Sequence, residues 1–344
     1  LTWAAGIAGC HASLIVDFSA SINPLGPPAS AIAAITGGLK DLSHYPDPDY
    51  SQLRHGLSQW HGLSPEWLLP GNGSAELLTW ASWELSGLEE TYLLTPAFAD
   101  YRRAFSTFGV KIQPLPLNPT EPDSPLPLKG SNRPAGILLN NPHNPTGKLF
   151  SREEILPYLE EFSLVVVDEA FMDFVPPPEQ QSLIPMVWKY PNLVVLRSLT
   201  KFYSLAGLRL GYAISNPRRL QLWQKWRDPW PVNVLAAAAG EAVIQDRGFQ
   251  EQTWQWLCPA RKALFNALQS IQGLQPLPSS ANFLLVGTEV PSGRLQQLLL
   301  KNHRIFVRDC SNFPELGDRY FRVAVRTQTE NQNLIQAITK VLSS

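Results

Sequence analysis

Three polar residues stand at the ends of apolar runs, where a ligand would be the natural reason for them. Asp168 closes the run Val165-Val166-Val167, Lys201 follows 33 positions later in Ser198-Leu199-Thr200-Lys201, and Arg209 lies eight positions beyond the lysine in Leu208-Arg209-Leu210-Gly211. An acid and an amine in neighbouring strand-end loops can face one ligand. The pair suits an aldehyde cofactor with a pyridine ring. The amine holds the aldehyde covalently, and a buried carboxylate keeps the ring nitrogen protonated by charge pairing. Arg209 would bind a phosphate as a two-pronged donor. A lysine taken alone is usually a solvated surface group, so the pattern around Lys201 carries the weight. A further stretch, Gly71-Asn72-Gly73-Ser74-Ala75-Glu76, precedes the apolar helix read over Leu77 to Leu85. Ser74 is expected in the cap position, with Asn72-Gly73 forming a tight turn. The free N–H groups of such a helix start make a phosphate site, and an ordinary capped helix would read the same way.

These residues need elements that bring them together. Between Tyr92 and Tyr212 the chain alternates short apolar runs with helical or loop stretches: Tyr92 to Leu94, Gly136 to Leu139, Leu164 to Val167, Leu193 to Leu196 and Leu210 to Ile214. Continuous runs of this length predict strands buried on both faces of a mostly parallel sheet. Ligands of such sheets sit at the carboxyl ends of the strands. The loops found there are Thr95 to Phe98, Asn140 to Gly147, Asp168 to Phe171 and Ser198 to Lys201. After Asn233, Leu235 to Ile244 and Arg261 to Leu268 read as helices, Ala281 to Val286, Ile305 to Arg308 and Tyr320 to Val325 as strands, and Glu330 to Leu342 as a closing helix. That half reads as a separate α+β unit. The first forty residues read as an irregular arm leading into a helix.

Composition narrows the function class. The 344 residues are 44% hydrophobic and 17% charged with a formal net charge of −1, enough apolar material for two domains. They leave no electrostatic footprint for nucleic acid or an anionic membrane. No apolar run reaches the length of a membrane helix and no signal segment is evident, so a cytoplasmic location is expected. Cys10, Cys258 and Cys310 have no metal-ligand spacing, which suits a reducing compartment. The 31 prolines, about 9% against a typical ~5%, are spread through connections such as Pro114 to Pro134. Eleven tryptophans read as core or interface without a basic patch beside them. His143 is either a proton-exchanging group beside the Asn144 loop or an exposed loop histidine.

Taken together, Ser198-Leu199-Thr200-Lys201-Phe202-Tyr203, Gly207-Leu208-Arg209-Leu210-Gly211, Asn144-Pro145-Thr146-Gly147, Asp168-Glu169-Ala170 and the Gly71 to Glu76 loop resemble the pyridoxal-phosphate enzymes of the aspartate aminotransferase fold. The resemblance runs from Asp17 to the end. It implies an α/β fold with a mostly parallel central sheet in a large domain (41–232), a smaller α+β C-terminal domain (233–344), and an N-terminal arm (1–40) joining the small domain. Within that superfamily, Asp17 to Gly26, Trp230-Pro231-Val232-Asn233 and Arg308 to Arg326 resemble the threonine-phosphate decarboxylases of cobalamin biosynthesis, whose substrate is a small phosphorylated amino acid. The histidinol-phosphate aminotransferases share the cofactor motifs.

The resemblance also implies roles. Lys201 carries pyridoxal 5'-phosphate covalently, Asp168 pairs with its ring nitrogen and Asn144 donates to its 3-oxygen. Phe98 stacks on the ring, with Tyr101 as the alternative. Gly73, Ser74, Ala75, Ser198 and Arg209 hold the phosphate, with Tyr45 reaching in from a partner subunit of a homodimer that shares its active sites. Arg322 takes the substrate carboxylate, Arg308 the substrate phosphate, and Asn144 also lies against the substrate. Two departures stand out. Position 171 is Phe where the aminotransferases usually have Tyr, and the His-Gly-Gly stretch of the decarboxylases is not found in this sequence. A regulator built on the same fold would carry an added DNA-binding domain, for which this chain has neither length nor charge.

Overall fold

The computed structural model describes residues 1–119, 121, 125–127 and 134–343; part of the proline-rich Pro114 to Pro134 connection lies outside them. The chain opens with α1 (Thr2–Ala8), β1 (Val16–Asp17), α2 (Ala29–Gly38) and α3 (Ser51–His61). There follow β2 (Leu68–Asn72), α4 (Gly73–Leu85), β3 (Glu90–Thr95), α5 (Ala99–Thr107), β4 (Ile112–Pro116), β5 (Ala135–Asn140), α6 (Arg152–Glu161), β6 (Leu164–Asp168), β7 (Leu193–Ser198), β8 (Leu210–Ser215) and α7 (Pro217–Trp226). The last third holds α8 (Val234–Gln245), α9 (Arg247–Gln269), β9 (Leu274–Pro276), β10 (Phe283–Thr288), α10 (Ser292–His303), β11 (Ile305–Phe306), β12 (Arg308–Asp309), β13 (Tyr320–Ala324) and α11 (Gln328–Leu342).

Seven strands form one sheet in the order β2-β8-β7-β6-β5-β3-β4. All are parallel except β8, which runs against both neighbours. The exception follows from loop length, because a parallel return needs a crossover of a dozen or more residues and only Leu199–Arg209 separates β7 from β8. That short connection carries Lys201 at one end and Arg209 at the other, both at the carboxyl edge of β6 and β7. The apolar runs are buried on both faces. Val165 and Val167 enter one core cluster, while Val166 enters the cluster on the opposite face with Leu78 and Trp223. β4 was not foreseen, because Pro114 and Pro116 argue against a strand interior; as the edge strand it needs fewer donors.

The second sheet, β12-β13-β10-β9, is antiparallel throughout. The stretch Ile305 to Arg308, expected as one strand, divides at Val307. Its first part pairs in parallel with β1, and its second joins β13. The N-terminal arm is thereby stitched to this part of the chain, with Phe18 N–H on Phe306 O (2.8 Å) and Ala324 N–H on Phe18 O (2.8 Å). The 232/233 boundary falls just before α8, which packs on α2 and α3. Gly240 leaves room on α8 for Leu210 and Leu53.

Candidate active site

Asp168 ends β6, Asn140 ends β5 directly opposite it, and Ser198 ends β7. Asp168 is desolvated, and burial raises its pKa against the opposing pull of Lys201, a hydrogen bond from Tyr101 and the Ala170 N–H. Its Oδ2 accepts from Tyr101 Oη at 2.7 Å and its Oδ1 from Ala170 N at 2.9 Å. Burial lowers the pKa of Lys201; Asp168 opposes this, while the charges of Arg209 and Arg322 add to it. The amine lies 5.0 Å from the centroid of Phe171. A desolvated amine of lowered pKa is a competent nucleophile toward an aldehyde.

The lysine loop is pinned from the arm. Asn23 N–H donates to Lys201 O at 3.1 Å, and Asn23 Nδ2 donates to Phe202 O at 2.9 Å and to Thr253 Oγ1 at 3.0 Å. Nearby, Arg197 is buried between Glu169 and Asp173. Arg197 was not singled out from the sequence, and Asn23 was read only as part of the Asp17 to Gly26 stretch. A charge inside the apolar run Leu193 to Ser198 was the available signal for Arg197.

At the start of α4 the expectation for Ser74 is corrected. The cap residue is Asn72, without a side-chain cap bond, and Ser74 is the second helical residue. Glu76 Oε2 accepts from Asn72 N–H at 2.7 Å, which leaves the N–H groups of the helix start itself without a side-chain cap. Gly73 has φ of 73°, and a Cβ there would lie 2.5 Å from Arg209 Nη2. At Gly211 a Cβ would lie 2.5 Å from Ser74 N. Two glycines thus let a guanidinium and the N–H groups of a helix start crowd together, an arrangement made for an anion. Ser198 Oγ is close by in the chain fold, hydrogen-bonded to Thr200 Oγ1 at 2.7 Å.

Arg322 and Arg308 sit directly opposite one another on β13 and β12. Neither forms an ion pair among the described residues. Arg322 donates to Asn144 Oδ1 and lies over the face of Phe283 at 4.8 Å. Burial lowers its pKa to about 10, with Arg308 adding to the shift and Cys310 opposing it. Like charges opposed on neighbouring strands destabilise a sheet unless an anion joins them.

Other expectations fare differently. Phe98, 41% exposed, opens α5 with its edge toward Tyr101 at 5.6 Å. Tyr101 is buried with its hydroxyl on Asp168. Tyr45 is 78% exposed and stacks on Trp230 at 4.4 Å. His143 is fully buried rather than exposed, its Nδ1 2.8 Å from Thr146 Oγ1, and burial lowers its pKa to about 3.

Residues 14–338 match the family described as aminotransferase class I and II. The chain belongs to this family. Among curated relatives of this family member, the threonine-phosphate decarboxylase of Salmonella typhimurium is 36% identical, with 99% of this chain and 94% of that protein covered. The histidinol-phosphate aminotransferase of Symbiobacterium thermophilum is 34% identical, covering 95% and 91%. The solved structure of histidinol-phosphate aminotransferase from Sinorhizobium meliloti, in complex with pyridoxal-5'-phosphate, superposes with a TM-score of 0.88 at 23% identity, covering 99% of this chain and 94% of that one. The protein is therefore a pyridoxal-phosphate-dependent enzyme of the aminotransferase fold. The residues present fit that cofactor: an anion cradle that a Cβ at Gly73 or Gly211 would fill, a buried amine, and a buried carboxylate with acceptor capacity to spare. Among the described residues no helix is long and apolar enough to cross a membrane.

Proposed function

We propose that this enzyme decarboxylates L-threonine O-3-phosphate to (R)-1-amino-2-propanol phosphate and carbon dioxide, a reaction of cobalamin biosynthesis. The observation that carries the reading is the Arg308–Arg322 pair, two opposed guanidinium groups with no acidic partner among the described residues. A substrate bearing both a carboxylate and a phosphate answers both charges. The decarboxylase relative supports it.

In this reading Lys201 holds the cofactor, Asp168 faces its ring nitrogen, and Asn144 its 3-oxygen. Phe98 covers its face, while Gly73, Ser74, Ala75, Ser198 and Arg209 hold its phosphate. Pyridoxal phosphate supplies an electron sink for one bond at the substrate's α-carbon. Arg322 chooses that bond by where it holds the carboxylate. Were Arg322 to present the carboxylate to that sink, the bond from the α-carbon to the carboxylate would break and carbon dioxide would leave. Lys201 Nζ then delivers a proton to the α-carbon. Were the hydrogen presented instead, Lys201 Nζ would remove it and transamination would result.

The enzyme works as a homodimer in this reading, exposed Tyr45 completing the partner's phosphate site. Its three free thiols suit the cytoplasm. The 34% identical aminotransferase relative supports a second reading, histidinol-phosphate transamination. Incubation with O-phosphothreonine should release carbon dioxide. Conversion of histidinol phosphate with 2-oxoglutarate, without any such release, would replace the first reading by the second.

A further inference from the structure

Among the described residues the Tyr101 hydroxyl has one partner, and that partner is the acid assigned to the cofactor ring. Tyr101 stands one helical turn into α5, its N–H on Phe98 O at 3.0 Å. Its ring is 2% exposed and packs in the core cluster that contains Leu77, Leu93 and Val166. Packing alone would be served by Phe. The hydroxyl instead donates to Asp168 Oδ2 at 2.7 Å, while Ala170 N–H takes Oδ1. An ionised carboxylate has about four acceptor sites, so room remains for a ring N–H. The other charges acting on Asp168 are Lys201, which favours its ionised form, and Asp100, which opposes it. The phenol itself is held far from ionisation by burial and by Asp168. At every working pH it stays protonated and can donate to Asp168.

We propose that Tyr101 is a positioning residue that keeps the shared proton on the cofactor's ring nitrogen and off Asp168. The proton between a carboxylate oxygen and a pyridine nitrogen has two homes, O–H···N or O⁻···H–N⁺. A second donor on the same carboxylate stabilises only the charged arrangement. A hydrogen bond to a charged group is worth about ten- to hundred-fold in such an equilibrium. The inference rests on the placement of Asp168 opposite the ring nitrogen, not on which substrate is turned over.

The test is made on the resting holoenzyme, with no substrate present. The protein is reconstituted with pyridoxal phosphate labelled with nitrogen-15 in its ring, and the nitrogen resonance is recorded against pH. For Tyr101→Phe, which keeps the ring, the resonance should move from the pyridinium position toward that of an unprotonated pyridine. Rescue comes from 3-fluorotyrosine at position 101. Its more acidic hydroxyl should hold or sharpen the pyridinium signal, which a merely structural role would not do. In turnover, Tyr101→Phe should lower kcat by about ten- to hundred-fold with a smaller change in KM. Identical nitrogen resonances in wild type, Tyr101→Phe and the fluorotyrosine protein would overturn the proposal. That result would leave the substrate assignment untouched, since a carbon dioxide assay decides the latter separately.

Discussion

His143 shows at the scale of one residue how neighbours reset a side chain. It is wholly buried beside the Asn144 loop with a pKa lowered to about 3 from 6.5. The unfolded chain therefore binds a proton that the folded chain refuses, and stability rises with pH between about 3 and 6.5. At most one proton is involved, so its share of the slope is ~1.4 kcal/mol per pH unit. His143→Asn should flatten urea-midpoint curves measured from pH 6.5 down to pH 4, relative to wild type. An unchanged slope would remove His143 from the acid limb. Arg322 makes the complementary case. Its loss takes a charge-assisted partner away from the substrate, so Arg322→Ala should cut kcat/KM for O-phosphothreonine by at least a hundredfold, on the order of 2.7 kcal/mol, while leaving the cofactor's visible absorption in place. Asp168, Lys201 and Arg209 could be singled out as candidates because they fall in or next to the loops at the ends of predicted strands. Tyr101 was read only as a stacking ring, because nothing in sequence tells where a hydroxyl one helical turn away will point.

Among the elements, the central strands were readable because burial on both faces leaves an uninterrupted apolar run, and five of the seven strands announced themselves so. β2 and β4 did not, one ending in Gly71-Asn72 and the other carrying two prolines. The division of Ile305 to Arg308 was hidden for a different reason: its partners, Val16 and Arg322, are remote in sequence. Helix packing gives a prediction here. Gly56 lies inside α3 where a Cβ would come 2.6 Å from Ile244 Cδ1 of α8. Alanine in place of helical glycine is worth roughly 0.5 to 1 kcal/mol, but Ile244 must give way. Gly56→Ala with Ile244→Val should therefore be more stable than the sum of the single changes, a coupling of about 0.5 kcal/mol or more in a double-mutant cycle of chemical denaturation. Strict additivity would mean the two helices are not in register as described.

For the whole molecule, the Tyr45–Trp230 stack stands out at the surface, the two rings being 78% and 44% exposed. A dimer would cover it. If the proposed homodimer shares its sites, Tyr45→Phe should weaken cofactor retention about tenfold with sedimentation unchanged from wild type. Full activity in a species sedimenting as a monomer would refute the shared site.

The loop that carries Asn144 ends at Gly147, whose φ is 78° and whose missing Cβ leaves space occupied by Ser279. Ser280 N–H donates to Gly147 O at 2.8 Å, just before the strand whose Phe283 supports Arg322. This amide is a clock. If β10 swings away from the Asn144 loop, Ser280 must lose its protection against deuterium each time, whereas the amides inside β10 and β13 need not. The ratio of their exchange rates would then count how often the cleft gapes, in a protein carrying no label and no ligand.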